Sequence, residues 1–380
     1  MKSKVVLISC DSYDEELLIG KLKKGLELSG GLDKLIKKDE KVLLKLNLVR
    51  GAEPKRAVTT HPNIAAALAR ILYESGYERV SAGDSCGFGS TAKIMRELSL
   101  DTKLKKYNTA LADFSEGIQI ENDSGVHAKK FVLAKDVLEA DALISVSKMK
   151  THALEYITGA VKNQYGCIQG LNKAKGHTVY TSQESFAKML IDLNLTVKPR
   201  FYIMDGITAM EGNGPTSGTP VQMNVILMSK DPVALDSVFS RLINLEPKNV
   251  PTNVFGERMG LGKYKKEDIE LVTDTGEDDF DFIISKYMKQ DFDVIRSRHT
   301  SRGLMRLVTG LSVFKRRPRI NAQLCKKCGV CVEACPVEGK AVSFRNGRNK
   351  PPVYNYRKCI KCFCCQEMCP HKAIEVKGRI

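Results

Sequence analysis

The feature that most constrains this 380-residue chain is a cysteine run that occurs twice near its C-terminus. Cys325, Cys328, Cys331 and Cys335 are spaced by two, two and three residues and followed by Pro336. Cys359, Cys362, Cys365 and Cys369 repeat that spacing before Pro370. Three thiolates separated by two residues each can wrap one loop around three corners of an iron–sulfur cubane, while the fourth, beside a proline, reaches the neighbouring cubane. The pattern predicts two [4Fe–4S] clusters. One is expected on Cys325, Cys328, Cys331 and Cys369, the other on Cys359, Cys362, Cys365 and Cys335. Zinc also uses CxxC pairs, but as two separated pairs rather than duplicated triplets. The fourth cysteine of each run is expected to start a helix leading away. Residues 319–322 and 373–376 read as pairing edge strands, and Asn346-Gly347 as a hairpin turn. Cys364 is read as a non-ligand, and Cys10, Cys86 and Cys167 as buried structural thiols.

The rest of the chain alternates. Val5 to Ile8 reads as a strand, followed by a helix through Leu17, Leu18, Leu22 and Leu26 that ends at Gly30-Gly31. Further strands are expected over 42–48, 79–82, 142–146, 201–204 and 224–228, with helices starting at Pro62 and Asp231-Pro232. Aliphatic strands alternating with helices predict an α/β domain with a largely parallel sheet, followed by a small α+β ferredoxin-like domain carrying two [4Fe–4S] clusters. The expected organisation is an α/β domain over 1–285, a basic amphipathic connecting helix over 286–317 with a stripe from Leu304 to Phe314, and the cysteine domain over 318–380. No transmembrane segment is read, since no apolar run reaches about 18 residues. The N-terminus does not resemble a signal peptide, so a cytoplasmic location is expected.

The formal charge of +16 invites a nucleic-acid reading. From 291 to 380 there are 20 Lys and Arg against 6 Asp and Glu, and elsewhere 40 against 38. The excess therefore coincides with the cysteine domain, whose clusters are anionic, and no nucleic-acid signature accompanies it. It suits an acidic redox partner instead, of the ferredoxin or flavodoxin kind.

Several blocks resemble the family known as domain of unknown function 362, often fused to such a ferredoxin module. They are 44–49, Thr59-Thr60-His61-Pro62, Gly83-Asp84-Ser85, Lys148-Met149-Lys150-Thr151-His152, 158–166 with Gly170 and His177, Asp205-Gly206, and 231–236. Leu46 stands where a proline is expected. The resemblance implies this architecture and the cluster cofactor but no substrate. In α/β proteins ligands gather beyond strand ends, where Lys45, Asn47, Asp84, Lys148, Lys150, His152 and Asp205 fall. Lys162-Asn163 lies on an expected helix among small residues, which suggests close approach of a ligand or backbone. Lys148, His152, Lys162 and Asn163 are the candidate catalytic residues. The turn at 87–91 could offer N–H groups to an anion or be an ordinary capped turn, and the glycines of 211–215 permit a lid. The expected function is an iron–sulfur oxidoreductase acting on a small, anionic substrate. The alternative is a non-enzymatic electron carrier or a maturation factor that docks a partner.

Overall fold

The computed structural model describes residues 2–87, 89–170, 172–296, 316–345 and 347–377. In chain order the strands are β1 (Ser3–Ser9), β2 (Val42–Lys45), β3 (Val80–Gly83), β4 (Ala110–Leu111), β5 (Gly117–Glu121), β6 (Lys130–Ala134), β7 (Ala142–His152) and β8 (Tyr156–Thr158). They continue with β9 (Phe201–Glu211), β10 (Thr219–Ser229), β11 (Ile269–Thr273), β12 (Arg317–Ile320), β13 (Val342–Ser343), β14 (Val353–Tyr354) and β15 (Ile374–Lys377). One mixed sheet runs β11-β1-β10-β9-β7-β2-β3-β4, with β8 hairpinned onto β7. Its central strands β9, β7, β2, β3 and β4 are mutually parallel, whereas β10 runs antiparallel to both β1 and β9.

Strand periodicity explains the layers. Successive side chains of a strand point to opposite faces. Val6, Ile8, Leu44, Ile144 and Val146 pack with Leu18, Leu22, Ile64 and Leu68, on helices Glu15–Leu28 and Pro62–Glu74. Their neighbours Val5 and Leu7 pack with Leu235 and Phe239 of helix Pro232–Leu242, and Leu43 and Leu143 with Phe186 and Leu190 of helix Gln183–Val197. Helices thus cover both faces, which is why β7 is buried along its full length. Caps fix where helices start. Asp14 accepts from Leu17 N, and Asp231, before Pro232, accepts from Val233 N and Ala234 N at 2.8 and 2.9 Å.

Because β2, β3, β7 and β9 are parallel, their C-terminal ends share one edge of the sheet. The cysteine module sits against that edge. In it β12 pairs with β15 and β13 with β14, both antiparallel. Phe363 of the module joins the apolar group containing Leu154, Tyr165 and Phe186. The 211–215 loop is not a free lid: Gln366 Nε2 donates to the carbonyls of Asn213 and Gly214, and Asn213 Nδ2 donates to Ile374 O at 2.9 Å. Thr216 Oγ1 adds a 2.6 Å bond to Glu367 O.

Two expectations need correction. The short helices of the module, Val330–Glu333 and Cys364–Glu367, carry the third cysteine of each run and precede the fourth, instead of starting from it. Gly329 and Phe363 turn the chain into them at φ 88° and 65°. Pro336 and Pro370 disfavour helical backbone at the cysteine before them, so each helix stops there. Helix Phe280–Tyr287 starts before the expected connecting helix, and 288–296 is not helical. The Leu304–Phe314 stripe lies outside the described residues.

Candidate functional site

The strand ends bury an unusual number of charged groups. Lys45, at the end of β2, is fully buried, and a buried ammonium is tolerated only when its donors are met. Its Nζ lies 3.0 Å from Asp84 Oδ1 and donates to Asn163 O at 2.6 Å, Asn163 Oδ1 at 3.1 Å and Leu46 O at 2.8 Å. The other Asp84 oxygen accepts from Leu48 N at 2.6 Å. Asn47 Nδ2 donates to Asn163 Oδ1, while Asn47 Oδ1 accepts from Lys150 Nζ at 2.6 Å. Lys150 donates also to Val58 O, and among the described residues no carboxylate lies at ion-pairing distance from it. Burial, reinforced by the positive charges of Lys162 and Lys148, pushes its pKa well below the usual lysine range.

The small residues around Lys162-Asn163 admit this network. A Cβ on Gly166 would overlap Asp84 Oδ1 and come within 2.6 Å of Lys45 Nζ. Gly166→Ala is therefore expected to cost roughly 1–3 kcal/mol, the usual range for overpacking, measured as a lowered urea midpoint at unchanged slope. A wild-type midpoint would show that the pair can shift aside.

Lys148 goes elsewhere. Its Nζ bonds Asp205 Oδ2 at 2.7 Å and Tyr13 Oη at 2.9 Å, Tyr13 Oη donates to Asp205 Oδ1, and the Tyr13 ring stacks on His61 at 3.6 Å. Burial outweighs the attraction of Asp205 and lowers the pKa of Lys148. Lys148 and Lys150 are thus buried and hydrogen-bonded to different partners, not a solvated pair. At the end of the 87–91 segment Ser90 caps helix Thr91–Glu97 through Lys93 N, the ordinary role of a capping serine.

Lys162, Asn163, Asn47 and Asp84 line a cavity of about 490 Å³ between the sheet edge and the cysteine module. Thr158, Tyr165, Lys173 and His177 complete the α/β side of its wall. Lys173 Nζ is held by the carbonyls of Ser85 and Cys86 and by Ser85 Oγ, and burial brings its pKa down to about 8. The His177 ring stacks on Phe186 at 4.6 Å and meets Tyr165 edge-on; burial holds its pKa down to about 4. Among the described residues, His177 Nδ1 and Thr158 Oγ1 are buried in this wall with no hydrogen-bond partner, an arrangement that invites a polar ligand. Among the described residues no carboxylate lies at ion-pairing distance from Lys162.

His152 stands behind the cavity. Its Nδ1 accepts from Leu154 N and Glu155 N at 3.0 and 3.1 Å, which leaves the ring proton on Nε2, 2.8 Å from Glu367 Oε1. Burial, with the nearby charge of Lys162, holds His152 down to about 4. Burial alone would raise Glu367, but His152 and Lys162 more than offset it and the carboxylate sits below its usual range. The sequence marks neither Glu367 nor Lys173, and it marks Thr158 only as the first residue of the 158–166 block. Glu367 lies inside the second cysteine run, where nothing local signals a partner on β7.

The opposite wall of the cavity is the module itself, through Cys335, Pro336, Lys340, Cys364, Glu367 and Met368. The eight run cysteines fall into two groups. Cys325, Cys328, Cys331 and Cys369 line one small cavity; Cys335, Cys359, Cys362 and Cys365 line another. Donors already point at sulfur, Tyr354 Oη to Cys365 Sγ at 3.2 Å and Ala341 N to Cys335 Sγ at 3.3 Å. Such bonds tune thiolate-held iron clusters. Cys335 therefore belongs both to the second thiol group and to the wall of the large cavity.

Comparison with known proteins agrees with this division. The chain is 34% identical over 263 residues to the thylakoid-associated protein sll1697 of Synechocystis, covering 69% of this chain and 81% of that one. Among solved structures, it is similar to the lactate racemase apoprotein of Thermoanaerobacterium thermosaccharolyticum at 13% identity and TM-score 0.38, over 61% of this chain and 55% of that one. A Thermotoga maritima protein matches at 11% identity and TM-score 0.34, over 59% and 57%. The chain spans little more than half of either, and neither match carries an argument here. No helix among the described residues is long and apolar enough to cross a membrane. Residues 317–370 match the 4Fe-4S dicluster domain, which makes this an iron–sulfur, electron-transfer protein, and residues 42–241 match the domain of unknown function DUF362. With more than half of its length so matched, the chain belongs to the DUF362 family, joined to a 4Fe-4S dicluster domain.

Proposed function

We propose that this protein is an iron–sulfur oxidoreductase with two [4Fe–4S] clusters and a small, anionic substrate held in the cavity between sheet edge and module. The observation that carries the reading is the double placement of Cys335, in the thiol group of one cluster and in the wall of the cavity. Cys325, Cys328, Cys331 and Cys369 would hold the first cluster, and Cys359, Cys362, Cys365 and Cys335 the second. When bound, such clusters accept and release single electrons at low potential.

The protein's own groups then have distinct tasks. Lys162, with Lys173 behind it, draws in and orients an anion. Thr158 Oγ1 and His177 Nδ1 supply the bonds that a polar substrate would complete. His152, behind the cavity, keeps its proton on Nε2 against Glu367, and Glu367 lines the substrate space, so a proton from His152 would pass through that carboxylate. Asn163 ties the floor of the cavity to Lys45 and Asn47. Lys148 acts as a positioning residue, fixing the β7–β9 strand ends through Asp205 and Tyr13. A cytoplasmic location accords with thiols kept reduced.

The test starts with anaerobic iron and sulfide analysis and EPR after dithionite reduction. About eight irons per chain and two interacting S = 1/2 centres are expected. The reduced protein is then mixed with a panel of small organic anions, and reoxidation of the clusters is followed by absorbance. Lys162→Ala and Asn163→Ala should each slow reoxidation at least tenfold with whichever anion oxidises the wild type. Zinc in place of iron, or unchanged rates in both variants, would overturn the assignment and favour a carrier or docking role.

A further inference from the structure

The two thiol groups differ in what lies around them. Among the described residues, none of Cys325, Cys328, Cys331 and Cys369 lines the large cavity, and Cys328 is exposed at the surface. In the same loop, immediately before Cys325, the large apolar side chain of Leu324 is 44% exposed. Lys326 and Lys327 are exposed in the same loop. Lys327 Nζ donates to Asn349 O at 3.0 Å, which ties the loop to the β13–β14 hairpin and its exposed Arg345, Arg348 and Lys350. The Arg348 guanidinium lies against Gly329, with Nη2 3.1 Å from where a Cβ would stand, directly after Cys328. This ring of cations carries no acid of its own, since no Asp or Glu occurs in 316–332 or 339–366. From 316 to 376 there are 13 Lys and Arg against 4 Asp and Glu, and two of the four, Glu333 and Glu367, line the large cavity.

An exposed cluster ligand, an exposed leucine in the same loop and an acid-free ring of cations together form a surface suited to an anionic partner. We infer that this face docks an acidic one-electron carrier protein of the ferredoxin or flavodoxin kind. The inference rests on the cluster assignment proposed above. The exchange is a single-electron step: the carrier loses one electron and the cluster on Cys325, Cys328, Cys331 and Cys369 gains it, or the reverse. No proton or bond change is required. The outer cluster thereby serves the partner and the inner one the cavity.

Two charge-reversal variants of the full chain test this, Lys326→Glu/Lys327→Glu in the cysteine loop and Arg348→Glu/Lys350→Glu on the hairpin. The second avoids residues between cluster ligands. Each is checked for wild-type iron and sulfide, then reduced in a stopped-flow instrument by an acidic two-cluster ferredoxin, and separately by reduced benzyl viologen, a small cation with no docking surface. The ferredoxin rate constant is expected to fall at least tenfold in both variants at low ionic strength. In the wild type it should fall similarly as salt is raised. Viologen should reduce all three proteins at rates within a factor of about two, or faster in the variants, since added acids attract a cation. Ferredoxin rates within twofold of wild type in both variants would overturn the inference while leaving the clusters in place. So would a ferredoxin rate that stays intact while the variants lose co-sedimentation with phosphatidylglycerol vesicles, which would make the face a membrane-docking one. A chain without iron, unreduced by viologen, would sink the cluster assignment and this inference with it.

Discussion

Cys335→Ala should halve the bound iron, from about eight to about four atoms per chain, and the four that remain should be those of the outer cluster. Cys369→Ala should halve it too, but leave the inner cluster. The difference follows from the crossed grouping of the thiols. Cys335 is the fourth cysteine of the first run, yet it lies with Cys359, Cys362 and Cys365, whereas Cys369 lies with Cys325, Cys328 and Cys331. Alanine is the right replacement, because serine retains an oxygen that can ligate iron. In each variant the two interacting spins of the wild type should give way to one isolated S = 1/2 signal after dithionite reduction. The decisive comparison uses an organic anion that perturbs the wild-type EPR signal. It should still perturb the signal of Cys369→Ala, whose remaining cluster borders the cavity, and leave that of Cys335→Ala unchanged. If each variant instead loses the cluster of its own run, the crossing is wrong. If the anion perturbs both, the cavity has been placed beside the wrong cluster.

The cysteine runs were readable because ligand spacing is a local property; the edge strands expected over 319–322 and 373–376 do pair, but over 317–320 and 374–377. What the spacing did not reveal was where helical backbone fits around the thiols. The strands were legible by their aliphatic runs but not by their ends. β7 extends six residues beyond the expected 142–146, to His152, because Lys148, Lys150 and His152 look like the start of a loop until their partners are known. β2 stops at Lys45, short of Leu48; beyond it Asn47 N turns to Thr60 Oγ1 and Leu48 N to Asp84. The candidate site was legible in part for a related reason. Lys45, Asn47, Asp84 and Asn163 do converge, but Lys45 and Asn163 are 118 residues apart, and no local pattern shows which lysine meets which carboxylate. Lys148 is bonded to Asp205 and Tyr13, partners that no neighbouring residue in the sequence points to. Nothing near Glu367 in the sequence marks it, because its partner His152 lies in the other half of the chain.

The second large effect is on stability, at Lys45. Lys45→Met keeps much of the apolar stem and removes the ammonium. It leaves Asp84 Oδ1 and both oxygens of Asn163 facing one another with no cation between them. The Lys45 and Asp84 side chains are 0% and 3% exposed, so little water reaches the oxygens left behind. Breaking a buried ion pair from one side costs about 3–5 kcal/mol, most of it the penalty of the stranded charge. Anaerobic urea unfolding of the holoprotein should show that loss in Lys45→Met. Asp84→Asn should lose less, because the ammonium keeps its bonds to Asn163 and Leu46. The double variant Lys45→Met/Asp84→Asn is the informative one. With the charge gone from both sides, its loss should fall short of the summed single losses by about 0.5–3 kcal/mol, the coupling usual for contacting groups. Cluster content must stay constant across the series, since lost iron would lower stability by another route. Additive losses would mean that Lys45 and Asp84 are held by their other partners and do not act as a pair. The floor of the cavity would then rest on Asn163 alone, and Asn163→Ala, not Lys45→Met, would be the variant that releases it.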